Sequence, residues 1–154
     1  MIWLKNKLLL SDATFKFIAV GSQVLNDNKF GECYAKYPRE RKELLDFIAD
    51  NNIKGVIFLT GDKHYSELSK RVWNGYPFYD FTSSPLTSPP LPRRLLGAYR
   101  NDYRVKKSDF GRRGFGRISF TGEKGKRNMK VEIIGRGGYK KKEFTFNEKD
   151  LMKK

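Results

Sequence analysis

Residues 55–68 read GVIFLTGDKHYSEL, and the way this stretch folds decides the rest of the chain. Val56, Ile57, Phe58 and Leu59 form an apolar run that suits a buried strand, and the polar residues after it suit a loop. Upstream, Phe15, Phe17, Ile18, Ala19 and Val20 form a second such run, ending at Gly21. Between the two lies a polar, turn-rich connection, SQVLNDNKFGECYAKY (22–37), and then Pro38, whose fixed φ fits the first turn of a helix. Leu44, Leu45, Phe47 and Ile48 give that helix its buried face, and Asn51, Asn52 and Gly55 bring it to an end. Strand, helix and strand in succession predict a βαβ unit with parallel strands and a right-handed crossover.

That topology says where to look for chemistry, because ligands of open α/β sheets gather outside the carboxyl ends of the strands. Ser22 and Gln23 follow one such end; Gly61, Asp62 and His64, the chain's single histidine, follow the other. In extended backbone, residues i and i+2 project to the same side. Asp62 and His64 are therefore expected to present a carboxylate and an imidazole together, with Lys63 on the opposite side. Mixed oxygen and nitrogen ligation suits zinc, iron or manganese, and a carboxylate also suits a harder ion such as calcium. At this point a metal ligand, a general acid or base, and a surface histidine with a local hydrogen bond all remain open.

Outward from this unit, Trp3, Leu4, Leu8 and Leu9 recur at helical spacing and predict an amphipathic first helix. Lys5 and Lys7 interrupt its apolar stretch, which separates it from a signal peptide. No capping residue precedes it, so an upstream part is expected. Downstream, Phe78, Tyr79 and Phe81 suggest a strand, and TSSPLTSPPLPRR (82–94) a loop that continues neither helix nor sheet. Ile118 to Phe120, Met129 to Ile134 and Glu143 to Phe146 read as short strands, with TGEKGKRN (121–128) as a hairpin connection. Phe115, Ile118 and Phe120 are expected on the buried face and Arg117 outside. The fold class is thus α/β, a βαβ unit followed by antiparallel C-terminal strands that extend its sheet, with residues 1–154 as one domain.

A chain of 154 residues buries roughly 70% of its unfolded surface, enough for a real core. Its apolar runs are far shorter than the ~20 residues that span a bilayer. Cys33 is the only cysteine, which excludes an intramolecular disulfide. Charge is uneven: residues 1–92 hold 12 Lys and Arg against 10 Asp and Glu, whereas residues 93–154 hold 20 against 7. The basic C-terminal part implies an anionic substrate or partner, an acidic surface that it faces, or a solvated face without one.

Four ordered blocks, WLKNKLLLSDATFKFIAVGSQVLN (3–26), YPRERKELLDFI (37–48), GVIFLTGDKHYSEL (55–68) and YDFTSSPLTS (79–88), resemble the C-terminal half of PhoD-like alkaline phosphatases, within the metallophosphatase class. FGRISFTGEKGKRNMKVEII (115–134) is similar to the family's closing strands, more loosely. The resemblance implies a partial metallophosphatase-like α/β sandwich and metal-dependent phosphoester hydrolysis of the alkaline phosphatase or phosphodiesterase type. Its Gly-Asp-x-His pattern matches Gly61, Asp62, Lys63 and His64. His64 would ligate a metal, Asp62 would stand where the wider class has a second ligand, and Gln23 would make a polar contact to the substrate. Iron and calcium are the cofactors it implies, a phosphoester is the substrate, and the periplasm or the exterior is the location. The family's upstream aspartate, Gly-Asp and asparagine blocks have no counterpart here. One histidine and one aspartate are too few donors for a two-metal site, so the isolated chain is expected to be inactive, a truncated or split product needing an N-terminal half.

Two other readings attach to the C-terminal part. NDYRVKKSDFGRRGFGRISF (101–120) interleaves arginines with aromatics, as a single-strand nucleic-acid-binding module would. The chain would alternatively be a noncatalytic scaffold whose basic surface meets acidic residues of a separately encoded half.

Overall fold

The computed structural model describes residues 1–29, 31–92 and 100–153; Phe30 of the first connection and Arg93 and Arg94 of the Ser/Pro loop lie outside them. Helix α1 (Ile2–Leu10) leads into strand β1 (Lys16–Val20), helix α2 (Pro38–Asp50) and strand β2 (Val56–Thr60). β1 and β2 pair in parallel, Lys16 opposite Val56 through Val20 opposite Thr60, as a βαβ unit requires. β2 holds a central place, with β4 (Tyr76–Thr82) parallel on its other side, and this burial from both sides is why it reads as one apolar run.

Pro38 stands at the first helical position of α2, and Leu44, Leu45, Ile48 and Ala49 form its buried stripe. The exit is fixed by two residues at positive φ, Asn52 and Gly55. A Cβ on Gly55 would lie 1.9 Å from the Thr14 carbonyl oxygen, so the position excludes every other residue.

The chain also forms strand β3 (Glu67–Trp73), antiparallel to β4, where the sequence suggests no strand. Asn74 and Gly75 close this hairpin, both at positive φ as a two-residue turn of the primed type requires. The four-stranded order is β1-β2-β4-β3. Isolated bridges from Ser66 to Phe110 and from Ser69 to Arg104 lay the 100–110 segment along β3, covering an edge that would otherwise be open to pairing.

Strands β5 (Gly114–Thr121), β6 (Asn128–Gly135) and β7 (Lys140–Asn147) form a separate antiparallel sheet. They do not extend the first sheet; they pack on it. Met129, Val131, Ile133 and Phe146 join Ile57, Leu68, Tyr79 and Phe81 in one buried cluster. The Tyr79 and Phe146 rings meet edge to face at 4.8 Å. A Cβ on Gly116 would stand 2.4 Å from the Phe81 ring, so the hydrogen of that glycine sets how closely the sheets approach. The inward residues of β5 are accordingly Gly114, Gly116 and Ile118. Phe115 has the opposite parity and is 46% exposed, and Phe120, near the end of the strand, is 51% exposed, both corrections to the buried face expected above; Arg117 does point outward, to Glu132.

α1 also departs from expectation. Leu4 and Leu8 pack on the cluster formed by α2, β1 and β2, but Trp3 is 71% exposed and Leu9 54%. A short turn, Glu148–Leu151, closes the chain. Its Leu151 carbonyl accepts the Gly55 N–H at 2.7 Å, stitching the C-terminal region to the α2–β2 corner.

Candidate functional site

The carboxyl ends of β1, β2 and β4 converge. A Cβ on Gly61 would lie 3.9 Å from both the Gly21 and the Ser83 carbonyl oxygens, and the Ser83 N–H donates to the Thr60 carbonyl at 2.9 Å. Beyond Thr60 the backbone leaves the extended region: Asp62 has φ +63° and His64 φ +57°. The alternation that would have set their side chains on one side therefore does not apply. Left-handed backbone at a non-glycine residue costs roughly 1–2 kcal/mol, and it persists here because the surroundings hold it. The His64 N–H donates to Ser84 Oγ at 3.2 Å, and the His64 carbonyl accepts from the Leu91 N–H at 2.9 Å. Lys63 between them is buried, with its ammonium donating to the Glu32 carbonyl. Burial holds that ammonium below its ordinary pKa, against the pull of Cys33, Asp62 and Glu67.

The ring of His64 is itself tied down. Its Nδ1 lies 2.6 Å from the Pro89 carbonyl oxygen. A carbonyl only accepts, so Nδ1 carries a proton, and in the neutral ring Nε2 keeps its lone pair. This is the arrangement in which a histidine offers Nε2 to a metal or to an acid-base partner. Asp62 is exposed and borders an open cleft of about 570 Å³ with Gly21, Ser22, Glu32, Cys33 and Lys36. Within that wall Ser22 Oγ is a buried hydroxyl with no hydrogen-bond partner among the described residues. Asp62 and His64 share no hydrogen-bond partner there either: one borders the cleft over β1, the other is bound to the loop after β4.

Gln23 is fully buried. Its Nε2 donates to Glu67 Oε1 at 2.7 Å and Thr82 Oγ1 at 2.9 Å, and its Oε1 accepts from Asn26 at 2.9 Å. Glu67, also fully buried, takes a hydrogen bond from Asn101 at 2.6 Å and pairs with the Arg104 guanidinium. Beside them Asp80 accepts the Val24 and Leu25 N–H groups and the Thr60 hydroxyl. Both amide nitrogen protons of Gln23 are used, which gives it a place in the support of the site with none free for a ligand. Glu67 and Asp80 are not among the residues that the sequence singles out. For Asp80 the signal is a carboxylate inside an apolar strand, YDFT in β4; Glu67 has none, because β3 carries no strand pattern.

Among the described residues no three His, Cys, Asp or Glu side chains are gathered so as to hold a metal ion, and no helix is long and apolar enough to cross a membrane. Asp62 and His64 have the right donor chemistry for part of a metal shell, and only part. In the arginine- and aromatic-rich segment, Arg104 and Arg117 are engaged with buried glutamates and the Tyr103 hydroxyl donates to Asp27. These groups are occupied within the fold and are not a free stacking platform.

A comparison with curated proteins finds no match. A solved structure described as "Structure of PhoD" superposes with a TM-score of 0.69 at 18% sequence identity, covering 96% of this chain and 32% of that one. At that identity the likeness is one of fold, and the chain spans about a third of the solved structure's length. The family model described as PhoD-like phosphatase matches residues 1–130, which is most of the chain, and the chain belongs to the PhoD-like phosphatase family.

Proposed function

We propose that this chain carries the C-terminal portion of a metal-dependent phosphoester hydrolase, in which His64 Nε2 and the Asp62 carboxylate are metal donors. The observation that carries the reading is the Nδ1 to Pro89 carbonyl contact, which leaves Nε2 as the free donor at the end of a central parallel strand. Bound cations in such a site clamp phosphoester oxygens and lower the pKa of a water; iron and calcium are the ions that the family resemblance suggests. The chain's own residues hold the donors in place. The Ser84, Pro89 and Leu91 contacts fix His64, the buried Lys63 anchors the turn between the donors, and Gln23 braces the β1 end from behind. Gln23 acts through Glu67 and Thr82 and not by touching substrate. The exposed arginines and lysines of residues 100–153 favour the approach of an anionic phosphoester. A location in the periplasm or outside the cell follows from the family resemblance alone.

Two donors do not make a two-metal site, so the isolated chain is inactive and gains activity only with a polypeptide supplying the remaining ligands. Purified chain assayed with a chromogenic phosphomonoester and phosphodiester, with iron and calcium added, gives no turnover. Turnover that vanishes in His64→Ala would overturn this. Ligation has its own measurement. Mn²⁺ titrated into the chain broadens the imidazole resonances of His64 before other signals, and resonances that stay sharp at millimolar Mn²⁺ remove the metal assignment.

A further inference from the structure

His64 hangs on the segment 84–91 by three contacts: its N–H on Ser84 Oγ, its Nδ1 on the Pro89 carbonyl and its carbonyl on the Leu91 N–H. That segment is in turn fastened to the start of β5. The Gly114 N–H donates to the Pro85 carbonyl at 3.0 Å, and Arg113 Nε donates to the Ser88 carbonyl at 3.2 Å. Ser88 directly precedes Pro89, so Arg113 grips the peptide adjoining the one that orients the imidazole. Proline at 89 and 90 lacks an N–H, so neither residue can anchor the segment through its own amide. The segment is held instead by the Leu91 N–H on His64, the Gly114 N–H on Pro85 and, next to Pro89 itself, the Arg113 side chain on Ser88.

We infer that Arg113 is a positioning residue for His64: by holding the Ser88–Pro89 segment it keeps the Pro89 carbonyl on Nδ1 and so keeps the Nε2 lone pair available. This rests on the reading of His64 as a ligand, and it couples the second sheet to the site, since Arg113 immediately precedes β5.

His64 is the only histidine, so its ring nitrogens are identifiable in a long-range ¹H–¹⁵N spectrum of the whole chain. In neutral imidazole the wild type shows Nδ1 protonated. Arg113→Ala shifts the tautomer ratio toward Nε2–H by about threefold, a fraction of one hydrogen bond's net worth. Arg113→Lys, which retains a donor, recovers part of the shift, whereas Arg112→Ala, an exposed neighbour without a polar contact among the described residues, leaves the ratio unchanged. Circular dichroism confirms that each variant is folded. An unchanged ratio in Arg113→Ala, or a wild type already protonated on Nε2, overturns the inference. The two readings fail separately: a tautomer shift in Arg113→Ala with no Mn²⁺ broadening of His64 leaves the positioning role standing and sinks the metal role.

Discussion

Asp80 is a carboxylate in a strand buried on both faces, and its surroundings pull in two directions. Burial, the larger effect, pushes its pKa up to about 6 from an ordinary 3.8, while the Thr60 hydroxyl and the Leu25 and Val24 N–H groups favour the charged form. An acid whose pKa is higher in the folded state binds more protons folded than unfolded. Its contribution to stability is therefore complete below about pH 4 and is lost as pH rises through about 6. Asn at this position keeps an acceptor for the two N–H groups and does not ionise. Relative to Asp80→Asn, the wild-type chain loses on the order of 3 kcal/mol between about pH 4 and pH 7. Denaturant titrations of both proteins across that range check it, and a stability difference that does not change with pH refutes it. At this scale the sequence marks Asp62 and His64 by residue type and by their place after a strand. It could not show the left-handed backbone of His64, because the groups that hold that residue, Ser84, Pro89 and Leu91, lie 20 or more residues along the chain.

Among the elements, β1, α2 and β2 were legible because each is bounded by punctuation with a mechanism, Pro38 at one end of the helix and Gly55 after the other. β3 was not. Its first three residues are all buried, Leu68 between the sheets and Glu67 and Ser69 on the opposite face; those two polar groups are buried by partners on a distant segment, so no apolar alternation signals a strand, and the Asn74–Gly75 turn is the cue on offer. α1 shows the converse, an apolar pattern with more hydrophobic residues than the core takes up. Leu8 is buried and Leu10 exposed, two residues apart on one helix. Leu8→Ala is expected to cost about 2–5 kcal/mol, whereas Leu10→Ala stays within about 0.5 kcal/mol. Urea unfolding of the two variants measures the contrast, and equal losses would mean that α1 sits differently from this description.

For the molecule as a whole, the basic C-terminal part is not uniformly free. Arg104 and Arg117 neutralise buried glutamates and Lys140 pairs with Glu143, so composition overstates the charge available to a partner. The network behind the site has a different kind of reach. Gln23 bonds to residues 44 and 59 positions away, and Asp80 to backbone 55 and 56 positions away. Contacts that close such long loops are won late on the route to the native state. Their loss should then be felt in how fast the protein opens more than in how fast it forms. Stopped-flow measurements on Gln23→Ala would show an accelerated unfolding limb with refolding nearly unchanged; a slowed refolding limb would instead place this knot in the folding nucleus. Polar groups packed behind these strand ends thus act as a latch on their lifetime, setting how long the cleft ahead of them, once assembled, stays in shape.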